Sequence, residues 1–402
     1  MDQAHDVKSI AWAETSDMGI ADALRLEVFG FDVAEISQIR RIRALRSLGH
    51  KVHSFTMRRN NMQQRFEPDW PNTHLYATEN ENLLKRARVV AASVLKMMFH
   101  RQQMRQADVI IARNLDMLAI AWAARALAGA RQAPLVYECL DINGALCGSG
   151  AKARIMRAAE RFLLARVQML VVSSQGFVRN YFQPLQGYRG AWAVWENKLA
   201  TGAALPPRPK MREVSAPDTP LRLGWVGTIR CAPSLALLKD VAVRLGPRFQ
   251  LHIHGVVHDH ALPGFNAAIA EHDNITFHGP YAYPDGLADV YAGLDLVWSQ
   301  DLWQTGNNSD WLLPNRIYEA SWAGCPNIAL ATTETGRRVA EDKLGWVIER
   351  ADPDLLIELL NRLERKEIMA RGQALLDRPM DAFVQSRNEL SDVIDRVMQE
   401  AR

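Results

Sequence analysis

With 402 residues, 48% apolar and 23% charged side chains, the chain has the material for full cores in two domains and is neither disordered nor fibrous. A net charge of +3 is too small over that length to argue for nucleic-acid binding, and none is expected. The four cysteines, Cys139, Cys147, Cys231 and Cys325, form no C-x-x-C pair, which argues against a zinc site or a disulfide framework and fits a reducing compartment.

Residues 1–23 lack a clear period and read as a loose tail, with acids at Asp2 and Asp6 where a secretory signal would be basic. Nothing apolar is long enough to span a bilayer, so a cytoplasmic protein is expected. Residues 24–200 then alternate. A strand at Arg25–Gly30 precedes the helix EISQIRRIRALRSLG, whose Ile36, Ile39, Ile42 and Leu45 recur along one face, and the strand HKVHSFTMRR follows. Residues 83–105 form a basic amphipathic segment, with Lys85, Arg86, Arg88, Lys96, Arg101 and Arg105 around an apolar stripe. It could lie on an anionic membrane or pack on the core with a solvated basic face. The strands ADVIIARN, PLVYECLD, QMLVVSS and AWAVWENKL follow, with helices between them.

Residues 201–220 carry five prolines and read as an interdomain linker. A second alternating series, 221–380, begins with LRLGWVG, and 381–402 ends in an amphipathic helix that can pack back on the first domain. The expected class is α/β: two Rossmann-like domains with parallel sheets facing across a cleft, where ligands collect at the strands' carboxyl ends.

Chemistry concentrates in GNNSDWLLPNRIYEASWAGCPNIAL, residues 306–330. Pro314 suits the first turn of a helix, which Gly324 and Pro326 end. The free amides at that helix front favour a diphosphate, Arg316 can add a full charge, and Glu319 one turn on can accept hydrogen bonds from a ribose diol. Asn308, Leu313 and Asn315 belong to the same donor-binding segment. At the carboxyl ends of strands in the first half stand Asp141, Asp32 and Glu138, ranked in that order as the base that takes an acceptor's proton. Asn114 can line the same cleft. His252 and His254 read as structural, and neither a metal nor a cofactor beyond the substrate is expected. The segment after the first strand has no G-x-G-x-x-G, which disfavours an NAD-dependent oxidoreductase.

The 306–330 segment resembles the donor motif of GT-B glycosyltransferases of the GT4-like group. EVFGFDVAEISQIRRIRALRSLG, ARNLDMLAIA, LVYECLDI, WENKL, LGWVGTIRC, FHGPY and NSDWLLPNRIYE together resemble the succinoglycan-type exopolysaccharide glycosyltransferases. The resemblance implies a GT-B enzyme, a hexosyltransferase. It would move a hexose, usually glucose, from a UDP-sugar to a polyprenyl-diphosphate-linked glycan, peripherally at the inner face of the cell membrane. It also implies that Glu319 holds the donor ribose, that Gly227 and Arg230 lie at the diphosphate, and that Gly279 and Tyr281 lie against the base. The group's motif is Glu-x7-Glu. Its first Glu falls at Trp311, beside Asp310, so the chain departs from the pattern there. A sugar-nucleotide epimerase of the same fold and a non-catalytic assembly protein remain open alternatives at this point.

Overall fold

A computed structural model describes residues 23–59, 66–78, 83–200 and 205–401. All but one residue of the expected N-terminal tail lies outside that set, as do 201–204 of the expected linker. In the first lobe β1 (Arg25–Gly30), α1 (Ile36–Ser47), β2 (Lys51–Arg59) and β3 (Asn72–Thr78) lead into α2 (Leu83–Met97) and α3 (Arg101–Arg105). They are followed by β4 (Val109–Arg113), α4 (Leu115–Ala128), β5 (Leu135–Cys139), α5 (Gly144–Cys147), α6 (Ala151–Leu164), β6 (Met169–Val172), α7 (Gln175–Phe177) and β7 (Trp192–Val194). The strands form one parallel seven-stranded sheet in the order β3-β2-β1-β4-β5-β6-β7. β3 has no counterpart among the sequence expectations. Its mixed run NTHLYAT at a sheet edge carries neither strict alternation nor a continuous apolar signal.

The second lobe runs β8 (Leu221–Ile229), α8 (Ala232–Leu245), β9 (Phe249–Val257), α9 (Phe265–Ala270), β10 (Ile275–Gly279), α10 (Leu287–Ala292) and β11 (Leu296–Trp298). It continues with α11 (Asn308–Trp311), α12 (Asn315–Trp322), β12 (Asn327–Leu330), α13 (Glu334–Glu341), β13 (Gly345–Ile348), α14 (Pro353–Arg362) and α15 (Arg365–Leu376), and α16 (Arg387–Glu400) ends the chain. Its parallel sheet has the order β10-β9-β8-β11-β12-β13. Both orders reverse beside the first strand of the lobe, so each sheet has a crevice at its carboxyl edge.

Every residue of β4, β5 and β6 is buried, because helices cover both faces of the sheet. α16 crosses back: Leu390, Val393, Ile394 and Val397 pack with Leu26, Val28 and Ile42 in the first lobe's core. A capping box of Ser386 and Glu389 fixes its start. Where the chain crosses between lobes, Leu199 and Val384 form a parallel bridge. From Leu205 onward the proline-rich segment is pinned to the second lobe. Arg208 donates to the carbonyls of Trp322, Leu375 and Arg378, and Arg212 to those of Tyr291, Leu294 and Asp295.

Candidate active site

The carboxyl edges of the two sheets face each other, and both lobes supply side chains to the seam. Asp141 follows β5 and is open to solvent, yet protein closes round its other sides. That loss of water pushes its carboxyl up to about 6, against the opposing pull of the Asn308 amide and the Arg230 guanidinium. Asn308, on α11, spans the seam. Its Nδ2 donates to Asp141 Oδ1 at 3.1 Å while its Oδ1 accepts from Ile142 N at 2.7 Å. Arg230 leaves the end of β8 and lies 5.7 Å from the ring of Trp303. Gly227 lies within β8, with φ +115, against Gly255. A Cβ on Gly255 would meet Gly227 O at 1.7 Å, so position 255 admits no side chain.

The expected helix front is present as α12. Pro314 takes the cap position rather than the first turn, because its extended backbone (ψ 147) lies outside the helix; α12 begins at Asn315. Ile317 N bonds to Pro314 O, while among the described residues the N–H groups of Asn315 and Arg316 have no protein acceptor. Arg316 Nη1 is buried without a partner, and so is Arg40 Nε. Leu313 is buried with Ile317 and Tyr318 and anchors the turn, and Asn315 Oδ1 accepts from Asn197 of the first lobe at 2.7 Å.

Glu319, one turn into α12, is buried in the seam. Arg40 of α1 donates to its Oε1 at 2.8 Å, and Tyr291 OH lies 3.4 Å from Oε2. The Arg40 guanidinium also stacks 4.6 Å from the Tyr283 ring. Tyr281 follows Gly279, whose φ of +77 turns the chain after β10. Burial, then the Glu319 charge, push the Tyr281 phenol up, so it keeps its proton as a donor.

Two expectations are corrected. Glu138 does not face the cleft: it is fully buried between Arg41 and Arg113, each 2.9 Å away. Burial alone would raise its carboxyl, but the two guanidinium groups outweigh that and hold it below the usual range. Asp32 is also fully buried, and its Oδ1 accepts from Ala34 N, shaping the turn after β1. Asn114, half-buried at the end of β4 with φ +90, accepts from Met117 N and so caps α4 at the carboxyl edge of the sheet.

Sequence reasoning missed Arg40 and Asn197. Trp311, standing where the motif's first Glu would be, packs against the first lobe's core and lies 6.4 Å from Tyr181. Its carbonyl accepts from Ser174 Oγ at 2.5 Å. Asp310 turns the other way and accepts from Gly306 N, closing its own loop. The signal for Arg40 was its place on the helix after the first strand, at the switch point of the sheet.

His252 and His254 meet His278 of β10. His252 Nδ1 lies 2.9 Å from His278 Nε2, and the rings of His254 and His278 stack at 4.2 Å. Burial and mutual repulsion push His252 and His254 down to about 4, so both are neutral near pH 7. Among the described residues no group of three or more His, Cys, Asp or Glu is arranged to hold a metal ion.

Residues 40–198 match the family model of the glycosyl transferase 4-like domain. The chain is 34% identical over 300 residues to the succinoglycan biosynthesis protein ExoL of Rhizobium meliloti (strain 1021), covering 72% of each chain. Among solved structures, Anabaena Alr3699/HepE in complex with UDP and glucose is similar at TM-score 0.64 and 14% identity, over 94% of this chain and 100% of that one. WaaG, a glycosyltransferase involved in lipopolysaccharide biosynthesis, is similar at TM-score 0.60 and 15% identity, over 92% and 99%. At such identities these two likenesses concern the fold, which is GT-B.

Proposed function

The chain belongs to the glycosyltransferase family of the succinoglycan biosynthesis protein ExoL, and from that membership we propose that it transfers a hexose, glucose foremost, from a UDP-sugar to a polyprenyl-diphosphate-linked glycan. It is a glycosyltransferase of exopolysaccharide biosynthesis. A nucleotide-sugar donor is supported by HepE, which was solved with UDP, with UDP and glucose, and with UDP-glucose.

One observation carries the donor reading. The unpartnered amides of Asn315 and Arg316 and the unpartnered Nη1 of Arg316 lie at one helix front, with a carboxylate one turn behind. Donors without acceptors are costly to bury, and a pyrophosphate supplies the acceptors they lack. In this reading Glu319 accepts the ribose hydroxyls, and Gly279 and Tyr281 border the base. Arg230 meets the diphosphate from the β8 side with Gly227 beneath it, while Asn308 and Leu313 hold the loop that carries the helix front. As the glycosidic bond to the diphosphate breaks, the negative charge gathering on the leaving UDP meets donors already fixed in place, with the charge balanced by protein cations. Asp141 takes the proton of the attacking acceptor hydroxyl.

Calorimetric titration of UDP tests the assignment. Glu319→Ala should weaken binding about 100-fold, the loss of two charge-assisted hydrogen bonds at ~1.5 kcal/mol each. Glu319→Gln, which keeps the volume and one acceptor beside Arg40, should fall in between. Unchanged affinity in both folded variants would remove Glu319 from the donor site.

A further inference from the structure

We propose that the outward face of α6 is a docking surface for anionic phospholipid. The helix buries Ala153, Glu160, Leu163 and Leu164 against the first lobe. Its opposite face is not the usual polar one. Ala151, Ile155, Ala158, Phe162 and Ala165 follow one another at alternating steps of four and three residues, which puts them on one stripe, and all five are exposed. Ile155 is 70% exposed and Phe162 45%.

Cations line both edges of that stripe. Arg154 and Arg161 fall on one side, Lys152 and Arg166 on the other, all exposed. The segment's one acid, Glu160, is buried and taken up by Tyr137, Tyr181 and Gln186. Arg166 lies over the Phe162 ring at 3.3 Å, and Trp122 of α4 meets that ring edge-on at 5.2 Å, so the apolar stripe continues into an aromatic cluster. An apolar ridge between two cationic rows suits the boundary between acyl chains and anionic headgroups. A second copy of the same face is disfavoured, since it would set cation against cation.

Position gives the surface a use. In a parallel sheet the segment after a strand starts at the carboxyl edge, so α6 begins at the cleft mouth and runs away from it. Its lead-in helix touches the seam: a Cβ on Gly144 would lie 3.7 Å from Gln304 of the second lobe. α2 also starts at that edge, but among its described side chains the exposed apolar ones, Leu95, Met98 and Phe99, come at and beyond its end, at the pole away from the cleft, whereas α6 carries the exposed Ile155 near its start. α6 thus carries exposed apolar surface close to the cleft mouth, which brings the cleft to a bilayer. The inference rests on the lipid-linked-acceptor reading for its purpose alone.

Co-sedimentation of the full chain with vesicles tests it, using phosphatidylcholine alone and an equal mixture with phosphatidylglycerol. Wild type should bind the anionic vesicles and lose them at high salt. Ile155→Ser with Phe162→Ser, and separately Lys152→Gln with Arg154→Gln, should each weaken partitioning about 10- to 30-fold. Leu95→Ser with Phe99→Ser should leave it unchanged. UDP titration of the same proteins should match wild type, which separates a failure of docking from a failure of the donor site. Equal binding to neutral vesicles, no binding by wild type, wild-type binding by the α6 variants, or loss confined to the Leu95/Phe99 variant would each overturn the proposal. So would a dimer in sedimentation equilibrium that Phe162→Ser dissociates.

Discussion

Asp141 and Glu138 stand three residues apart at the end of one strand, yet their surroundings drive them to opposite chemistry. Glu138 is ionised and spent between Arg41 and Arg113. Asp141 has one amide partner and a carboxyl pushed up to about 6. Above that value it is ionised and can receive a proton; below it the proton is already there. Turnover should therefore fall as pH drops through about 6. Asp141→Asn should lower kcat by about 10²–10⁴-fold and abolish that acid limb, with UDP affinity by calorimetry kept. A pH–rate profile identical to wild type would exclude Asp141 as the base. The sequence showed two carboxylates at a strand end. It ranked Asp141 first but gave no sign that Glu138 is sequestered, because Arg41 and Arg113 reach Glu138 from other elements, 97 and 25 positions away in the chain.

At the scale of elements, α1 and α7 do more for the seam than their sequences announce. The apolar spacing of α1 marks Ile36, Ile39, Ile42 and Leu45 as its core face. In the fold Ile36 is 45% exposed, while Ser37, Gln38, Arg40 and Arg41 are buried. Periodicity locates the sheet beneath a helix. It says nothing of a second lobe closing over the helix from above, and Arg40 is buried by Glu319, 279 positions away. The strands β4, β5 and β6 were legible because burial on both faces favours apolar runs. The α7 start shows how closely the lobes approach: a Cβ on Gly176 would lie 2.5 Å from Trp311 O. Gly176→Val should hold the lobes apart, visible as a larger radius of gyration in solution scattering, and cost turnover ~100-fold through misplacement of the reacting groups. UDP binding to the second lobe should persist.

The whole molecule is two sheets joined by two adjacent chain crossings, at Leu199 and Val384, with α16 completing the first lobe after the second has been laid down. Four apolar side chains of α16 are buried in the first lobe, at ~1.5–3 kcal/mol each. Their sum, ~6–12 kcal/mol, matches the entire stability of an ordinary domain. A chain ended at Ser386 should lose the first lobe's cooperative melting transition in calorimetry and become protease-sensitive within 24–200. An unchanged transition would show that α16 merely rests on the surface. The swap also sets an order of events during synthesis. Translation proceeds at ~5–20 residues per second, so roughly 10–40 s separate the emergence of residue 200 from that of the helix that seals it. Through that interval Leu26, Val28 and Ile42 stand partly uncovered on the ribosome. The lobe made first is thus the lobe finished last, and chaperone demand should fall on the N-terminal half of the nascent chain.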